Sequence, residues 1–235
     1  MTNDFIVAYS ALRKNNSHRK TCELLGVAES TARGWLKEHQ SKPEAGPRVT
    51  LIDIETAPHL AWCFGRWDQN LGQDNIEKEG FILSVAHKKL YDPKIEGKII
   101  TDVDKLLHGD DREILEYMLD VYENTDILVG QNIKRFDHAV FRARLCAQGM
   151  PPPKPVKLID TMLIAKSMNF PSNKLDSLLS YLGLGRKTKN DGISLWIRAI
   201  KGEQAALDEM LKYNKDDVSD LEDVWLMLRP FDNQS

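Results

Sequence analysis

Two carboxylates stand one residue apart inside an apolar stretch, in the segment VTLIDIETAP. Leu51, Ile52 and Ile54 predict a buried strand, yet Asp53 and Glu55 interrupt it. Side chains alternate along a strand, so the two acids emerge on one face and close together. Such carboxylates repel each other and resist the loss of water unless a cation lies between them. The pattern therefore predicts a cation site on this strand.

A further acid follows another predicted strand, in GQNIKRFDHAVFRAR. The strand ends at Gly130, Asn132 comes shortly after it, and Asp137 falls in the first turns of the next predicted helix. Ligand sites in α/β sheets gather at the carboxyl ends of strands, where Asp53 would also lie. Asp137 is therefore a candidate ligand. The alternative is an acid that is simply favoured at a helix N-terminus.

The last candidate group lies in DEMLKYNKDDVSDLEDVWLML, near the end of the sequence. Its apolar residues recur at helical spacing, and Tyr213 and Asp217 border that stripe, four residues apart on one face. Asp216 points further toward solvent, which makes Asp217 the better candidate of the adjacent pair. Because this helix is rich in acids, a solvated acidic face is the alternative explanation for any single one of them.

In order and spacing, these groups resemble the motifs of the DEDD superfamily of 3′–5′ exonucleases, tyrosine subclass. The motifs are D-x-E in a strand, N-x3-F-D after another strand, and Y-x3-D in a late helix. The chain is also similar to stand-alone, phage-type enzymes akin to the exonuclease domain of family B DNA polymerases. That similarity covers roughly residues 49–230 and includes the segments LDIETAP, WDQN, PPP before IDT, FPSNKLD and YNKDDV.

The resemblance implies hydrolysis of phosphodiester bonds with two Mg²⁺ or Mn²⁺ ions, since the candidate ligands are all carboxylates. Two such ions, about 3.5–4 Å apart, supply a nucleophilic hydroxide and stabilise the leaving 3′ oxygen. By this analogy Asp53 bridges both ions, while Glu55 and Asp217 hold the ion that binds the attacking water. Asp137 acts on the second ion, partly through water. Tyr213 orients the attacking water through its hydroxyl group.

Other residues are candidates for contact with the substrate. Asn132 resembles the family asparagine that touches the terminal nucleotides. Trp62, Phe64 and Trp67 could each stack on a base, with burial of two of the three in the core as the alternative. The predicted substrate-binding residues are Thr56, Trp62, Trp67, Asn132 and Lys174.

Two more features have competing explanations. Lys174, Arg186, Lys187 and Lys189 would form a rim that attracts the phosphate backbone, or an ordinary solvated loop. Asp160, in the segment IDTM, matches a recurrent family position, and capping of a helix explains it equally well.

The elements that must position these residues predict an α/β fold of the ribonuclease H-like kind, with a mixed five-stranded sheet flanked by helices. Three strands come in a row, and helices and strands then alternate. The predicted strands are residues 49–55, 81–90, 94–101, 126–132 and 156–160. The predicted helices are residues 111–125 and 134–149, followed by a mainly helical remainder with breaks around 183–192.

A polar segment with Pro43, Gly46 and Pro47 predicts a linker over residues 41–48. It would separate a small helix-turn-helix unit, residues 1–40, from an exonuclease domain, residues 49–235.

The first unit contains RKTCELLGVAESTARGWLKEH, which resembles the helix-turn-helix of transposase-like and terminase-like DNA-binding units. Such units often have Ser in the turn where this chain has Ala28, so Ser30 is expected to cap the recognition helix. The residues on the outward face of that helix, which would meet the major groove of duplex DNA, are Glu29, Ser30, Arg33 and Lys37. Of these, the predicted DNA-binding residues are Ser30, Arg33 and Lys37. An accessory three-helix bundle is the alternative.

The composition suits a globular chain of 235 residues, with 42% hydrophobic and 29% charged residues. No apolar run approaches a membrane span and the start lacks the layout of a secretion signal, so we expect a cytoplasmic protein of a bacterium or infected host without a membrane partner. Cys22, Cys63 and Cys146 are far apart and read as reduced thiols rather than zinc ligands. The net charge of −3 argues against bulk electrostatic capture of nucleic acid, although a local basic rim would be compatible with it.

These features together predict a two-metal 3′–5′ exonuclease that acts on single-stranded DNA in phage-type DNA metabolism. Proofreading would require a replication protein in trans, since the sequence has no polymerase region. Two alternatives stay open. One is an RNA exonuclease of the same fold, which a contact to the 2′-hydroxyl group would distinguish. The other is a non-catalytic DNA-binding protein that uses the helix-turn-helix, for which repelling acids would have no purpose.

Overall fold

The computed structural model describes residues 2–13, 18–32, 35–36, 46–185 and 191–232. The chain forms two compact units, Met1–Gly46 and Pro47–Ser235. Residues 41–45, which make up most of the predicted linker, lie outside the described residues. At its end, the guanidinium of Arg48 lies 2.8 Å from the carboxylate of Asp126, so this residue is anchored to the second unit.

The first unit is helical, as predicted, with α1 at Thr2–Arg13 and α2 at His18–Leu24. Residues 29–32 and 35–36 are helical as well. A small core holds the unit together, and the ring of Trp35 packs edge-on against Phe5 at 4.8 Å. The buried members of that core are Phe5, Tyr9, Cys22 and Ala32.

The prediction that Ser30 caps the next helix is wrong. The Ala32 N–H donates to the Ala28 carbonyl oxygen, so the helix begins at residue 29, two residues earlier than a Ser30 cap would place it, and Ser30 lies within its first turn. Gly26, at φ +64°, ends α2 in the left-handed conformation, and the Val27 N–H donates back to Cys22. Ser30 is exposed. Arg33 and Lys37 lie outside the described residues.

The second unit contains the predicted mixed five-stranded sheet with flanking helices, in the order β5-β4-β1-β6-β7. β1 is antiparallel to β4 and parallel to β6. A separate two-stranded sheet pairs β2 with β3. The strands are β1 Val49–Thr56, β2 Leu60–Ala61, β3 Ile76–Lys78, β4 Ile82–Lys89, β5 Glu96–Ile99, β6 Ile127–Gly130 and β7 Lys157–Asp160.

The helices of this unit are α3 Val103–His108, α4 Arg112–Glu123, α5 Asp137–Ala147, α6 Thr161–Ser167, α7 Leu175–Tyr181, α8 Ile193–Ile200 and α9 Gln204–Leu228, with short 3₁₀ turns at Gln73–Asn75 and Arg229–Phe231. Predicted and observed boundaries agree to within a few residues. α5 starts three residues later than predicted, at Asp137 itself. Within the described part of the chain, no helix is both long and apolar enough to cross a bilayer.

Both faces of the central strand are covered. Ile52 and Ile54 point into a large core with residues of α4 and α5 such as Met118 and Phe141. Leu51 points to the opposite face, where it packs against the α9 residues Val218, Leu221 and Trp225. Asp53 and Glu55 continue the Leu51 face by alternation, so the sheet presents them toward the long helix.

Small residues beside these acids allow α9 to approach the sheet closely. Ala86 lies opposite Asp53 on β4, and Ser84 lies opposite Glu55. On β5, a Cβ added to Gly97 would come within 3.1 Å of the Leu211 side chain on α9. The sequence thus brings the helix near the strand at the end where the acids lie.

A buried ion pair joins β4, α4 and α5. The fully buried carboxylate of Asp111 accepts hydrogen bonds from the Ile82 N–H at 3.0 Å and from the guanidinium of Arg144 at 2.7 and 2.9 Å. We predict that Arg144→Met lowers the free energy of unfolding by about 3 kcal/mol, because it leaves a buried charge without its cation. Urea denaturation would measure the change. The matched control is Arg142→Met, at an exposed position on the same helix, and equal stability of the two variants would contradict the prediction.

Candidate active site

Three of the predicted acids come together in the structure. Asp53, Glu55 and Asp217 each offer one carboxylate oxygen, and these three atoms lie within 4.8 Å of one another. β1 supplies the first two acids from one face, and α9, packed on that face, supplies the third. Three oxygen donors of like charge at this spacing suit a hard divalent cation, which removes their mutual repulsion. The residues present therefore fit the metal that the sequence predicts.

The neighbouring acid of α9 has a different environment. Asp216 lies at the surface, where its carboxylate is 2.6 Å from the ammonium group of Lys212. Asp217 is buried and turned toward the sheet. The two adjacent acids thus form a natural pair for comparison, with one in the acidic group and one in a solvated ion pair.

Asp137 lies against β1 and is not a member of this three-residue group. β1 pairs with β6 only from Val49 to Leu51, and beyond that point the Asp137 carboxylate accepts the Ile54 N–H at 3.1 Å. The carboxylate is thus bonded to the residue that separates Asp53 and Glu55 in the sequence. Burial raises its pKa to about 7, and hydrogen bonds from the backbone oppose that rise.

Asp160 fixes the turn that leads to Asp137. Its carboxylate accepts the backbone N–H groups of Asn132 at 3.0 Å and Lys134 at 3.2 Å. It also caps α6 by accepting the Met162 N–H at 3.1 Å. Asn132 adopts φ +64° in this turn, a conformation that needs such support. The capping explanation of Asp160 therefore holds, and the same carboxylate also clamps the turn.

Tyr213 is half-buried on α9, one helical turn before Asp217. Its ring meets that of Trp196 on α8 edge-on, with the ring centres 6.2 Å apart. This contact restricts the ring.

The three aromatic residues between β1 and β3 are all exposed. Trp62, Phe64 and Trp67 are 73%, 108% and 82% exposed, so the alternative that two of them are core residues is wrong. The segment that carries them leaves the carboxyl end of β1 just after Thr56, where the β1–β4 register has a bulge. Their exposure provides flat apolar surface in the segment that follows the carboxyl end of β1.

The predicted basic rim is described only in part. Lys174 is exposed at the start of α7. Arg186, Lys187 and Lys189 lie outside the described residues.

One residue of the site escaped prediction. Asn214 on α9 is fully buried, and its amide Nδ2 donates to the Asp53 carboxylate at 2.6 Å. Its amide oxygen in turn accepts the hydroxyl of Ser84 on β4 at 3.2 Å. The sequence does hold a signal, because Asn214 is a polar residue within the apolar stripe of α9, three positions before Asp217.

The fold and the acidic group are those of a nuclease-like α/β protein. The chain belongs to the RNase_H superfamily, because residues 52–228 match the model of the RNase_H_2 family, a member of that superfamily. Membership of this superfamily supports nuclease activity, and the acidic group has a composition that fits metal binding.

Among solved structures, the chain is similar to the family B DNA polymerase from the hyperthermophilic archaeon Pyrobaculum calidifontis, with a TM-score of 0.55 and 16% sequence identity. The match covers 77% of this chain and 25% of the polymerase, so the chain spans about a quarter of that protein's length. This likeness concerns the fold alone. The comparison with curated proteins found no match.

Proposed function

We propose that this protein is a metal-dependent 3′–5′ exonuclease of the DEDD superfamily, tyrosine subclass, acting on single-stranded DNA. The observation that carries the proposal is the convergence of Asp53, Glu55 and Asp217 within 4.8 Å on a ribonuclease H-like sheet. The order of the motifs supports the exonuclease subclass, and the fold that the chain shares with a family B DNA polymerase is compatible with it. A phage-type role in DNA metabolism, with any proofreading through a replication protein in trans, belongs to the same proposal.

The chain's own residues have distinct tasks in this mechanism. Asp53, Glu55 and Asp217 hold Mg²⁺ or Mn²⁺, with Asp137 as a further ligand beside β1. A metal held by these residues would supply activation of the attacking water and neutralisation of charge on the phosphate and the leaving oxygen. Tyr213 directs its hydroxyl toward that water, and the edge-on contact with Trp196 holds the tyrosine ring in place.

Single strands fit the exposed aromatic segment better than duplexes do. Unpaired bases present their flat faces, and stacking on an aromatic side chain contributes about 1–3 kcal/mol per base. We propose that Trp62 and Trp67 stack on bases upstream of the reacting phosphate, while Thr56, Asn132 and Lys174 contact the strand.

This assignment predicts the kinetics of Trp67→Ala. The variant should raise KM for a single-stranded substrate by about tenfold, because one stacking contact is lost, and should leave kcat within about twofold. Steady-state rates on oligonucleotides of several lengths would measure both constants. Tyr91→Ala removes an exposed aromatic residue elsewhere on the surface and is the control. A fall in kcat with unchanged KM would contradict a role in stacking.

We also propose that the N-terminal unit is a helix-turn-helix that binds duplex DNA, with Ser30, Arg33 and Lys37 facing the major groove. Deleting Met1–Gly46 is predicted to leave cleavage of short single strands unchanged and to weaken binding to duplex DNA at least tenfold, because phosphate contacts supply much of such affinity. Fluorescence anisotropy on a duplex would measure it. Unchanged duplex affinity would indicate an accessory bundle.

A labelled-strand assay tests the proposed activity. A short DNA strand labelled at its 5′ end, and its RNA counterpart, would be incubated with Mn²⁺ or with EDTA. A ladder that shortens from the 3′ end with Mn²⁺ alone is the expected result on DNA. Faster degradation of the RNA strand would favour the RNA exonuclease. Intact strands under all conditions would overturn the proposal.

A further inference from the structure

We propose that Asn214 is a positioning residue, which holds the Asp53 carboxylate in its metal-binding place and is itself anchored by Ser84. The proposal rests on the function proposed above, because it concerns the same acidic group. It adds to that group two uncharged residues, on α9 and β4, that bind no metal themselves.

Hydrogen-bond chemistry determines the direction of this chain of contacts. A carboxylate can only accept, so the Asn214 group that lies 2.6 Å from Asp53 must be the Nδ2 donor. The Asn214 amide oxygen then faces Ser84, whose hydroxyl donates to it at 3.2 Å. If the amide were turned over, its oxygen would face the carboxylate and repel it. The acceptor-only carboxylate of Asp53 therefore selects this amide orientation, and Ser84, whose hydroxyl can donate or accept, holds the other end of the amide by donating to its oxygen.

Burial makes this arrangement costly unless all its partners are present. Asn214 and Ser84 are both fully buried, in positions of an apolar interface between α9 and the sheet. An amide in such a place destabilises the fold unless it is hydrogen-bonded. Among the residues that the structure describes, Asn214 meets that requirement through Asp53 and Ser84, so packing alone does not explain an asparagine there.

The position of Asn214 on α9 links two ligands of the site. Asn214 and Asp217 are three positions apart in the sequence, so they lie on the same face, one turn apart. One turn of the helix thus supplies a ligand directly and restrains a second ligand, Asp53, on β1. A shift of α9 relative to the strand would disturb both at once.

The test measures Mn²⁺ affinity on the full-length chain, by electron paramagnetic resonance of free Mn²⁺ in the absence of substrate. Asn214→Leu preserves the volume and removes the donor, and should weaken Mn²⁺ binding about 10- to 100-fold. Ser84→Ala leaves the amide in place but removes the hydroxyl that anchors its oxygen, and should weaken binding by a smaller factor. Saturating Mn²⁺ should restore most of the cleavage rate in both variants.

The matched control is Thr50→Val, which removes a buried hydrogen bond to Thr125 at the opposite end of β1. Its Mn²⁺ affinity should equal that of the wild type. Unchanged affinity in both Asn214→Leu and Ser84→Ala, or an equal loss in Thr50→Val, overturns the positioning role. If Asn214→Leu fails to fold, Ser84→Ala decides the matter. A wild type that neither binds Mn²⁺ nor cleaves DNA overturns the proposed function itself, and the positioning role with it.

Discussion

Asp217→Asn is expected to lower the rate of phosphodiester hydrolysis at least about 10³-fold, which corresponds to about 4 kcal/mol of lost transition-state stabilisation. Asp217 is the one member of the three-carboxylate group that comes from α9, and it is buried against the sheet. The substitution keeps the size of the side chain and removes its charge. The remaining pair, Asp53 and Glu55, would then hold a cation with one negative charge fewer. Single-turnover cleavage of a labelled strand with saturating Mn²⁺ would measure the loss.

The adjacent residue provides the control for this experiment. Asp216→Asn makes the same chemical change one position away, at a surface carboxylate paired with Lys212. Its cleavage rate should stay within about twofold of the wild type, because exposed ion pairs contribute little. Similar rates for the two variants would mean that the acidic group does not hold the catalytic metal.

The second large effect concerns the pH dependence of stability in the metal-free protein. The pKa of Asp137 is about 7 in the folded chain, against an ordinary 3.8. Below about pH 4 the group is protonated in both states and contributes nothing. Between about pH 4 and 7 the unfolded state loses its proton first, so stability falls as the pH rises. Above about pH 7 the free energy of unfolding is lower by the full amount, about 4 kcal/mol at 1.36 kcal/mol per pKa unit.

Asp137→Asn should remove this loss, because an amide oxygen can still accept the Ile54 N–H without carrying a charge. The variant is therefore predicted to be more stable than the wild type at about pH 8 in EDTA, and to have no such advantage at low pH. Urea denaturation across this pH range would measure it, with Asp216→Asn as the control. If the free energy of unfolding changed with pH in the same way for the wild type and Asp137→Asn, the prediction would be contradicted.

Much of this fold could be predicted because local patterns determine it. The five strands follow from apolar runs, and alternation alone places Asp53 and Glu55 on one face. The helical period likewise separates Asp217 from Asp216. These properties depend on a few neighbouring residues, so the sequence contains the information needed to infer them.

Other features depend on contacts between distant segments. The bond between Asn214 and Asp53 joins residues 161 positions apart, and no local pattern specifies it. Asp137 is bonded to β1 because β6 stops pairing early, which is a property of the sheet rather than of the helix. The exposure of Trp62 could not be predicted either, because a tryptophan in a loop has no periodic pattern that indicates whether its side chain is buried. The start of the helix at residue 29 was mispredicted because it is marked by a backbone hydrogen bond, from the Ala32 N–H to the Ala28 carbonyl oxygen, and every residue type can form such a bond.

The central claim is that Asp53, Glu55 and Asp217 together hold a divalent metal. Crystals of the full chain grown with Mn²⁺ and measured at the manganese absorption edge would test it most directly. The account predicts an anomalous peak within coordination distance of all three carboxylates, and its loss in Asp217→Asn crystals grown in the same way. A wild-type map without a peak at these residues, from protein that still cleaves DNA in Mn²⁺, would contradict it.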